Sequence, residues 1–196
     1  MYDDNNTTKN DVATDMFNYY YYLHAFNSKE VESILKICDN LKREVVTIDD
    51  GTSTDNVRRT EVGMLPSSGE TKWIYDRLMD LSSRTNKDMN WNFDLDDIYE
   101  DIQYSIYHDN GGHYQWSSDI GDGYSHRKLS VTLQLSIPEE YEGGQIEYNI
   151  GSTVLEAPSE VGTLIIHPSY LLHRTTPIVS GVKRTLVLWI SGNPFK

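Results

Sequence analysis

The 196-residue sequence has a single cysteine, Cys38. That excludes an internal disulfide and, with it, the stapled frameworks of small secreted domains, so a reducing, cytoplasmic setting is expected. Basic residues are scarce: 17 Lys and Arg stand against 30 Asp and Glu, for a formal net charge of −13. A nucleic-acid surface needs clustered cations to neutralise phosphates, and an anionic membrane face needs the same, so neither partner is expected. Long apolar runs are missing as well, and none approaches the ~20 residues that span a bilayer. The opening Met1-Tyr-Asp-Asp-Asn-Asn6 lacks the basic-then-apolar layout of a secretory leader. The acidic cluster Asp94, Asp96, Asp97, Glu100 and Asp101 has neither the regular spacing nor the central glycine of a calcium loop, and reads as solvated surface.

What is present suits a globular domain: 38% hydrophobic residues, a mean hydropathy of −0.56 and enough length for one sizeable core. Residues 1–16 are polar and are expected to be a disordered tail, and residues 17–196 read as one domain. Phe17–Phe26, with the tyrosine run Tyr19–Tyr22, reads as a strand. Ser28 is a candidate N-cap for a helix whose stripe is Val31, Ile34, Leu35, Cys38 and Leu41. Cys38 lies on that stripe and so reads as a core residue, not a nucleophile. Val45–Ile48 and Arg58–Leu65 are short strands. Glu70–Arg84 is a second helix, presenting Trp73, Ile74, Arg77, Leu78 and Leu81 on one side. Asn90–Leu95, with Trp91 and Phe93, alternates like a half-buried strand. From Ile102 the pattern changes to short β segments separated by turns: Ile102–Tyr107, His113–Ile120, Lys128–Ser136, Gln145–Asn149, Ser152–Glu156, Gly162–His167, Leu171–Thr176 and Lys183–Ser191. Such segments following two helices predict an antiparallel sandwich or jelly roll with helices on one outer face.

A metal centre of two imidazoles and one carboxylate asks for His-x-Asp on one strand and a second His on a distant one. Residues i and i+2 of a strand share a face, roughly 7 Å apart, so both can reach one ion. Asp119 stands at the carboxylate position and His173 is available as the distant imidazole, but residue 117, where the first His should be, is Ser117. His113 shares the parity of 117 yet lies roughly 13 Å back along an extended strand, so only a bulge could bring it in. His108 and His126 flank the segment in loops. Further on, Lys128–Ser136 alternates strictly, the paired glycines Gly143 and Gly144 favour a tight turn, and Arg184 opens the apolar run Thr185-Leu-Val-Leu-Trp-Ile190.

Six pieces in this order resemble the 2-oxoglutarate- and Fe(II)-dependent oxygenases, in their prolyl-4-hydroxylase-like branch. They are Gln103-Tyr…Tyr107, Tyr114-x-Trp-x-x-Asp-Ile120, Arg127-Lys-Leu-Ser-Val131, Tyr141-x-Gly-Gly144, Pro168-Ser…Leu-His173-Arg-x-x-Pro177 and Gly181-x-x-Arg184…Trp189. The resemblance implies a mostly β (α+β) fold, a double-stranded β-helix or jelly roll with supporting N-terminal helices. It implies Fe(II), held by Asp119 and His173 with Ser117 at the expected His position, and 2-oxoglutarate as cosubstrate, with ascorbate as a further cofactor of the branch. Arg184 would pair with the distal carboxylate of 2-oxoglutarate and Tyr107 would donate a second hydrogen bond to it, while Trp189 and Tyr114 would pack. The implied activity is hydroxylation of prolyl or other residues in a protein or peptide substrate. Because Ser117 replaces an imidazole, the alternative is a non-catalytic jelly-roll module with a degenerate metal site. The loops Asp49–Val57, Leu65–Thr71 and Ile120–Arg127 have the Gly and Ser content of segments that close over a substrate.

Overall fold

The computed structural model describes residues 18–48 and 58–195; the expected tail and the loop over 49–57 lie outside them. In chain order the strands are β1 (Tyr20–Tyr22), β2 (Arg43–Ile48), β3 (Arg58–Leu65), β4 (Ile102–His108), β5 (His113–Ser117), β6 (Arg127–Gln134), β7 (Tyr141–Gly143), β8 (Ile146–Ile150), β9 (Thr153–Glu156), β10 (Leu164–Pro168), β11 (His173–Thr175) and β12 (Ile178–Ser191), with helices α1 (Ser28–Cys38) and α2 (Lys72–Asp88). Hydrogen bonding links the strands, all antiparallel, in the order β1-β10-β6-β12-β4-β3-β5-β11-β8-β9, with β2 beside β3 and β7 beside β12. The sheet curls so that β8 and β11 come to face β10: Ile146, Tyr148 and Leu171 pack with Ile165 and Tyr19. This is the jelly roll that the strand pattern predicts, in the double-stranded β-helix form that the resemblance implies.

The helices cover the convex face of the larger half. Helix α1 starts at Asn27, one residue before Ser28: the Asn27 side chain accepts from the Glu30 N–H and the Glu30 carboxylate accepts from the Asn27 N–H. Asn27 wins because this reciprocal pair satisfies two donors at once. Val31, Ile34 and Cys38 of α1, and Ile74 and Leu78 of α2, join Ile102, Tyr104 and Ile106, Leu129, Val131 and Leu133, Leu164 and Ile166, and Leu186, Leu188 and Ile190 in one buried cluster. Each fully buried Leu or Ile contributes about 1.5–3 kcal/mol, so this layer fixes which residues of each strand point out. Burial pushes the Cys38 thiol up to about 12, which makes it inert.

Strand alternation then sends the intervening residues inward. Tyr107 of β4, Ser130 and Thr132 of β6, His167 of β10, and Thr185, Val187 and Trp189 of β12 line the concave side. Two sequence expectations fail for the same reason. Of the expected strand Phe17–Phe26, the described residues 18–26 keep strand pairing only at Tyr20–Tyr22, because His24 adopts a φ of +53°. Asn90–Leu95 is no strand: Asn90 and Asn92 have φ of +56° and +52°, and only Leu95 makes a bridge, to Gly192. Left-handed residues interrupt the extended backbone that alternation alone suggests. Among the described residues no helix is long and apolar enough to cross a membrane.

Candidate metal centre

The concave side encloses a cavity of about 370 Å³ whose lining includes Tyr107, Asp119, Ser130, His167, His173 and Trp189. Asp119 follows β5 and is buried; its backbone N–H donates to the Ser169 carbonyl at 2.9 Å. His173 opens β11, and its Nε2 lies 3.6 Å from Asp119 Oδ2. His167 comes from β10, its ring 4.6 Å from that of His173. Among the described residues these three form the group able to hold a metal, their ligand atoms all within 4.8 Å of one another. Tyr148 of β8 packs against both imidazoles, with ring separations of 4.9 and 5.9 Å.

Both histidines are oriented for ligation. His173 Nδ1 lies 2.9 Å from the Leu171 carbonyl and His167 Nδ1 lies 3.0 Å from that of Pro168. A carbonyl only accepts, so each Nδ1 is the donor and Nε2 is the ring nitrogen left to face a ligand. Burial, helped by the neighbouring His173, holds His167 down to about 3, so it is a neutral imidazole. Burial alone would raise Asp119, but His173 and His167, with Ser130 and Trp189 beside it, outweigh that and hold it ionised below the usual range. A neutral nitrogen donor and a charged carboxylate are the species that bind a divalent ion. Several polar atoms around the site, Ser117 Oγ, Tyr148 Oη and Thr185 Oγ1, are buried without a hydrogen-bond partner, a condition that a polar ligand relieves.

Ser117 lies directly opposite His173 in the β5–β11 pairing, so both side chains leave on one face. An imidazole at 117 would reach the cluster, whereas a hydroxyl stops short of it. None of the substitutes considered from sequence arrives instead: His113 Nδ1 turns to the Gly111 carbonyl at 2.7 Å, His108 pairs with Glu61 at 2.8 Å, and His126 stands 3.8 Å from Glu100. The imidazole that sequence reasoning passed over is His167. Its signal was present, since within Leu164-Ile-Ile-His-Pro it is the one ionisable side chain, and it has the parity opposite to core-facing Leu164 and Ile166.

Tyr107 lines the cavity, and burial raises its phenol so that it stays a hydrogen-bond donor. Arg184 does not enter. Its strand neighbours Leu186 and Leu188 belong to the helix-covered core, and its charge acts on Tyr104 of that same layer. Parity gives the inward direction to Lys183. Lys183 is fully buried, donates from Nζ to the Gly144 carbonyl at 2.5 Å, and borders a second cavity of about 200 Å³ with Gln134; Ile146 lines both cavities. The Gly143-Gly144 bend makes this approach feasible: φ is +83° and +67°, and a Cβ on Gly143 would strike the Pro177 carbonyl oxygen. Burial holds the Lys183 ammonium down to about 7.

Residues 102–191 match the sequence profile of the 2OG-Fe(II) oxygenase superfamily. Among curated proteins, a PKHD-type hydroxylase of Hyphomonas neptunium is 40% identical over 70 residues, covering 36% of this chain and 31% of the relative; one from Colwellia psychrerythraea is 30% identical over 83 residues, covering 42% and 37%. The chain thus spans about a third of the length of these relatives. Among solved structures, a prolyl hydroxylase of Trichoplax adhaerens, in complex with a peptide fragment of the hypoxia inducible factor oxygen degradation domain, superposes with a TM-score of 0.73 at 15% identity, covering 89% of this chain and 84% of that one. A Pseudomonas putida prolyl-4-hydroxylase superposes with a TM-score of 0.68 at 15% identity, covering 88% and 91%. At such identities the superpositions establish the shared fold.

Proposed function

We propose that this chain, whose residues 102–191 match the 2OG-Fe(II) oxygenase superfamily profile, is a dioxygenase that uses Fe(II) and 2-oxoglutarate to hydroxylate a peptidyl substrate, prolyl residues first among them. The observation that carries this reading is the convergence of one carboxylate and two imidazoles at the wall of a cavity inside a jelly roll. When bound, the metal and cosubstrate supply oxidative decarboxylation: O₂ and 2-oxoglutarate become succinate and CO₂, and one oxygen atom enters a substrate C–H bond.

The residues divide the remaining tasks by position. Asp119 and His173 bind the metal. Lys183 takes the role expected of Arg184: it is the cation of β12 that points inward, and its ammonium is suited to the distal carboxylate of 2-oxoglutarate. Gln134 lies beside it as a further donor. Tyr107, cross-strand neighbour of Lys183 on β4, donates from the metal-centre cavity. Arg127, held by Glu100 and stacked 3.7 Å over the Trp189 ring, closes the cavity near Asp119. Tyr114 and Thr175 line both the cavity and an open groove of about 560 Å³ that includes Trp116, Arg174 and Pro177, which gives an extended peptide a path beside the reacting position. The peptide bound to the Trichoplax prolyl hydroxylase favours a peptide over a small metabolite.

Ser117 favours a second reading, a non-catalytic descendant with an impaired metal site. The test is to load the purified protein anaerobically with Fe(II) and 2-oxoglutarate, admit O₂ and quantify succinate and retained metal. Succinate above a metal-free control is expected. Background succinate with no metal retained would leave the second reading in place.

A further inference from the structure

Resting on the metal-binding reading above, we infer that His167 takes the ligand place that the family pattern gives to residue 117. The ion would then be held by Asp119, His167 and His173, with Ser117 supplying no ligand. The second imidazole reaches the ion from β10, across the interior, instead of from β5 two residues before the carboxylate.

Three features of the molecule support this. First, position: His167 projects from the inward face of β10 with Nδ1 engaged by the Pro168 carbonyl, while Ser117 Oγ, on the residue opposite His173 in the strand pairing, is buried and unpartnered. Cis ligands on an ion with bonds of about 2.1 Å stand about 3 Å apart. The three ligand atoms already lie within 4.8 Å, so closure needs side-chain rotation of about 1–2 Å and no change of strand register.

Second, support: the segment following His167 is tied to the rest of the site. The Ser169 carbonyl accepts from Asp119 N–H at 2.9 Å, Ser169 N–H donates to the Lys128 carbonyl at 2.9 Å, and Ser130 Oγ donates to Ser169 Oγ at 3.0 Å. His167 and Asp119 are therefore positioned by one short stretch, Pro168-Ser169, as a ligand pair needs to be. Third, the bland alternative is disfavoured. A buried structural histidine normally satisfies both ring nitrogens, whereas His167 bonds Nδ1 to its own neighbour's carbonyl and sets its ring against another imidazole and a carboxylate.

The test uses Co(II), which reports its ligands by visible absorption without turnover. The native chain, His167→Phe, His167→Gln and the double variant Ser117→His/His167→Phe are titrated with Co(II), each after a far-UV circular dichroism spectrum that confirms folding. The native chain is expected to bind one Co(II), both single variants to bind about 100-fold more weakly or worse, and the double variant to recover to within about tenfold, its imidazole now entering from β5. Independently of any variant, the Co(II) form labelled with ¹⁵N-histidine should show two strongly shifted exchangeable Nδ1–H signals, one each from His167 and His173. Unchanged binding in the folded His167 variants, or a single shifted imidazole signal, would overturn the inference and leave the metal-binding reading standing. A native chain that binds no Co(II) would remove both.

Discussion

Replacing Lys183 separates two adjacent cations that strand parity sends in opposite directions. In the ligand-free protein the Lys183 ammonium sits at about 7, against an ordinary 10.5, because it is buried; the Glu156 carboxylate opposes that shift, while the Gly144 carbonyl and the Tyr141 ring at 5.9 Å complete its surroundings. At pH 8 about one molecule in ten therefore carries the charge. Pairing with the terminal carboxylate of 2-oxoglutarate restores the charged form, so binding at pH 8 should take up about 0.9 proton and at pH 6 about 0.1. Affinity should fall by up to tenfold per pH unit above 7. Calorimetry of 2-oxoglutarate binding to the Mn(II)-loaded protein, in buffers of contrasting ionisation enthalpy, reads the proton directly. Removing one partner of a buried charge pair costs about 3–5 kcal/mol, or about 150- to 4,000-fold, which is the loss expected for Lys183→Met, whereas Arg184→Met should stay within about threefold. The stability of the ligand-free protein carries the opposite sign. The folded value lies below the unfolded one, so between pH 7 and about 10.5 the unfolded chain holds more protons and stability rises with pH. Lys183→Met should accordingly be more stable than the native chain at pH 7, by at most about 5 kcal/mol, with the gap closing toward pH 10. No proton uptake at pH 8, or a larger loss from Arg184→Met than from Lys183→Met, would refute the assignment.

Other outcomes follow from the same geometry. Ser117→His in the native background should not raise activity: with His167 in place it adds a third imidazole on the face of His173 and should weaken 2-oxoglutarate binding several-fold, read by the same calorimetry. Tyr107→Phe removes one hydrogen bond inside the cavity and should raise the KM for 2-oxoglutarate about three- to tenfold with kcat little changed, from the ~0.5–1.5 kcal/mol of a neutral bond. Gly143→Ala forces a Cβ into the Pro177 carbonyl at a φ of +83°. A loss of about 2 kcal/mol or more in urea unfolding is expected, with a weaker 2-oxoglutarate complex because the Gly144 carbonyl that positions Lys183 moves.

Most of the fold is legible in the sequence because two periods carry it. The 3.6-residue stripe of Val31, Ile34 and Cys38 and the alternation of Leu129, Val131 and Leu133 each commit one face to the same core. What escapes is local backbone sign, as at Asn90 and Asn92, where left-handed residues undo an alternating pattern that tolerates them on paper. Face assignment on β12 escapes as well. Thr185 and Val187 look as fit for a core as Leu186 and Leu188, so the sequence offers no ground for choosing between Lys183 and Arg184. The structure chooses by pairing Lys183 with Tyr107 and Arg184 with Ile106 on β4.

The site shows a different limit. A spacing pattern such as His-x-Asp describes one route by which the chain delivers donors to a point; the ion responds only to the point. Inside a curled sheet several strands converge on one small volume, and here β5, β8, β10 and β11 meet around Tyr148 and the two imidazoles. A donor lost from one strand can be replaced from another whose inward residue ends in the same place, provided the replacement is neutral, correctly protonated and held. His167 meets these conditions through burial, its Pro168 carbonyl bond and the Ser169 tie to Asp119. Ser117 thus removes the motif without removing an imidazole from the cluster. The Ser117→His/His167→Phe exchange asks whether the ligand is a sequence position or a position in space, and recovery of Co(II) binding in that variant alone is the outcome this view requires.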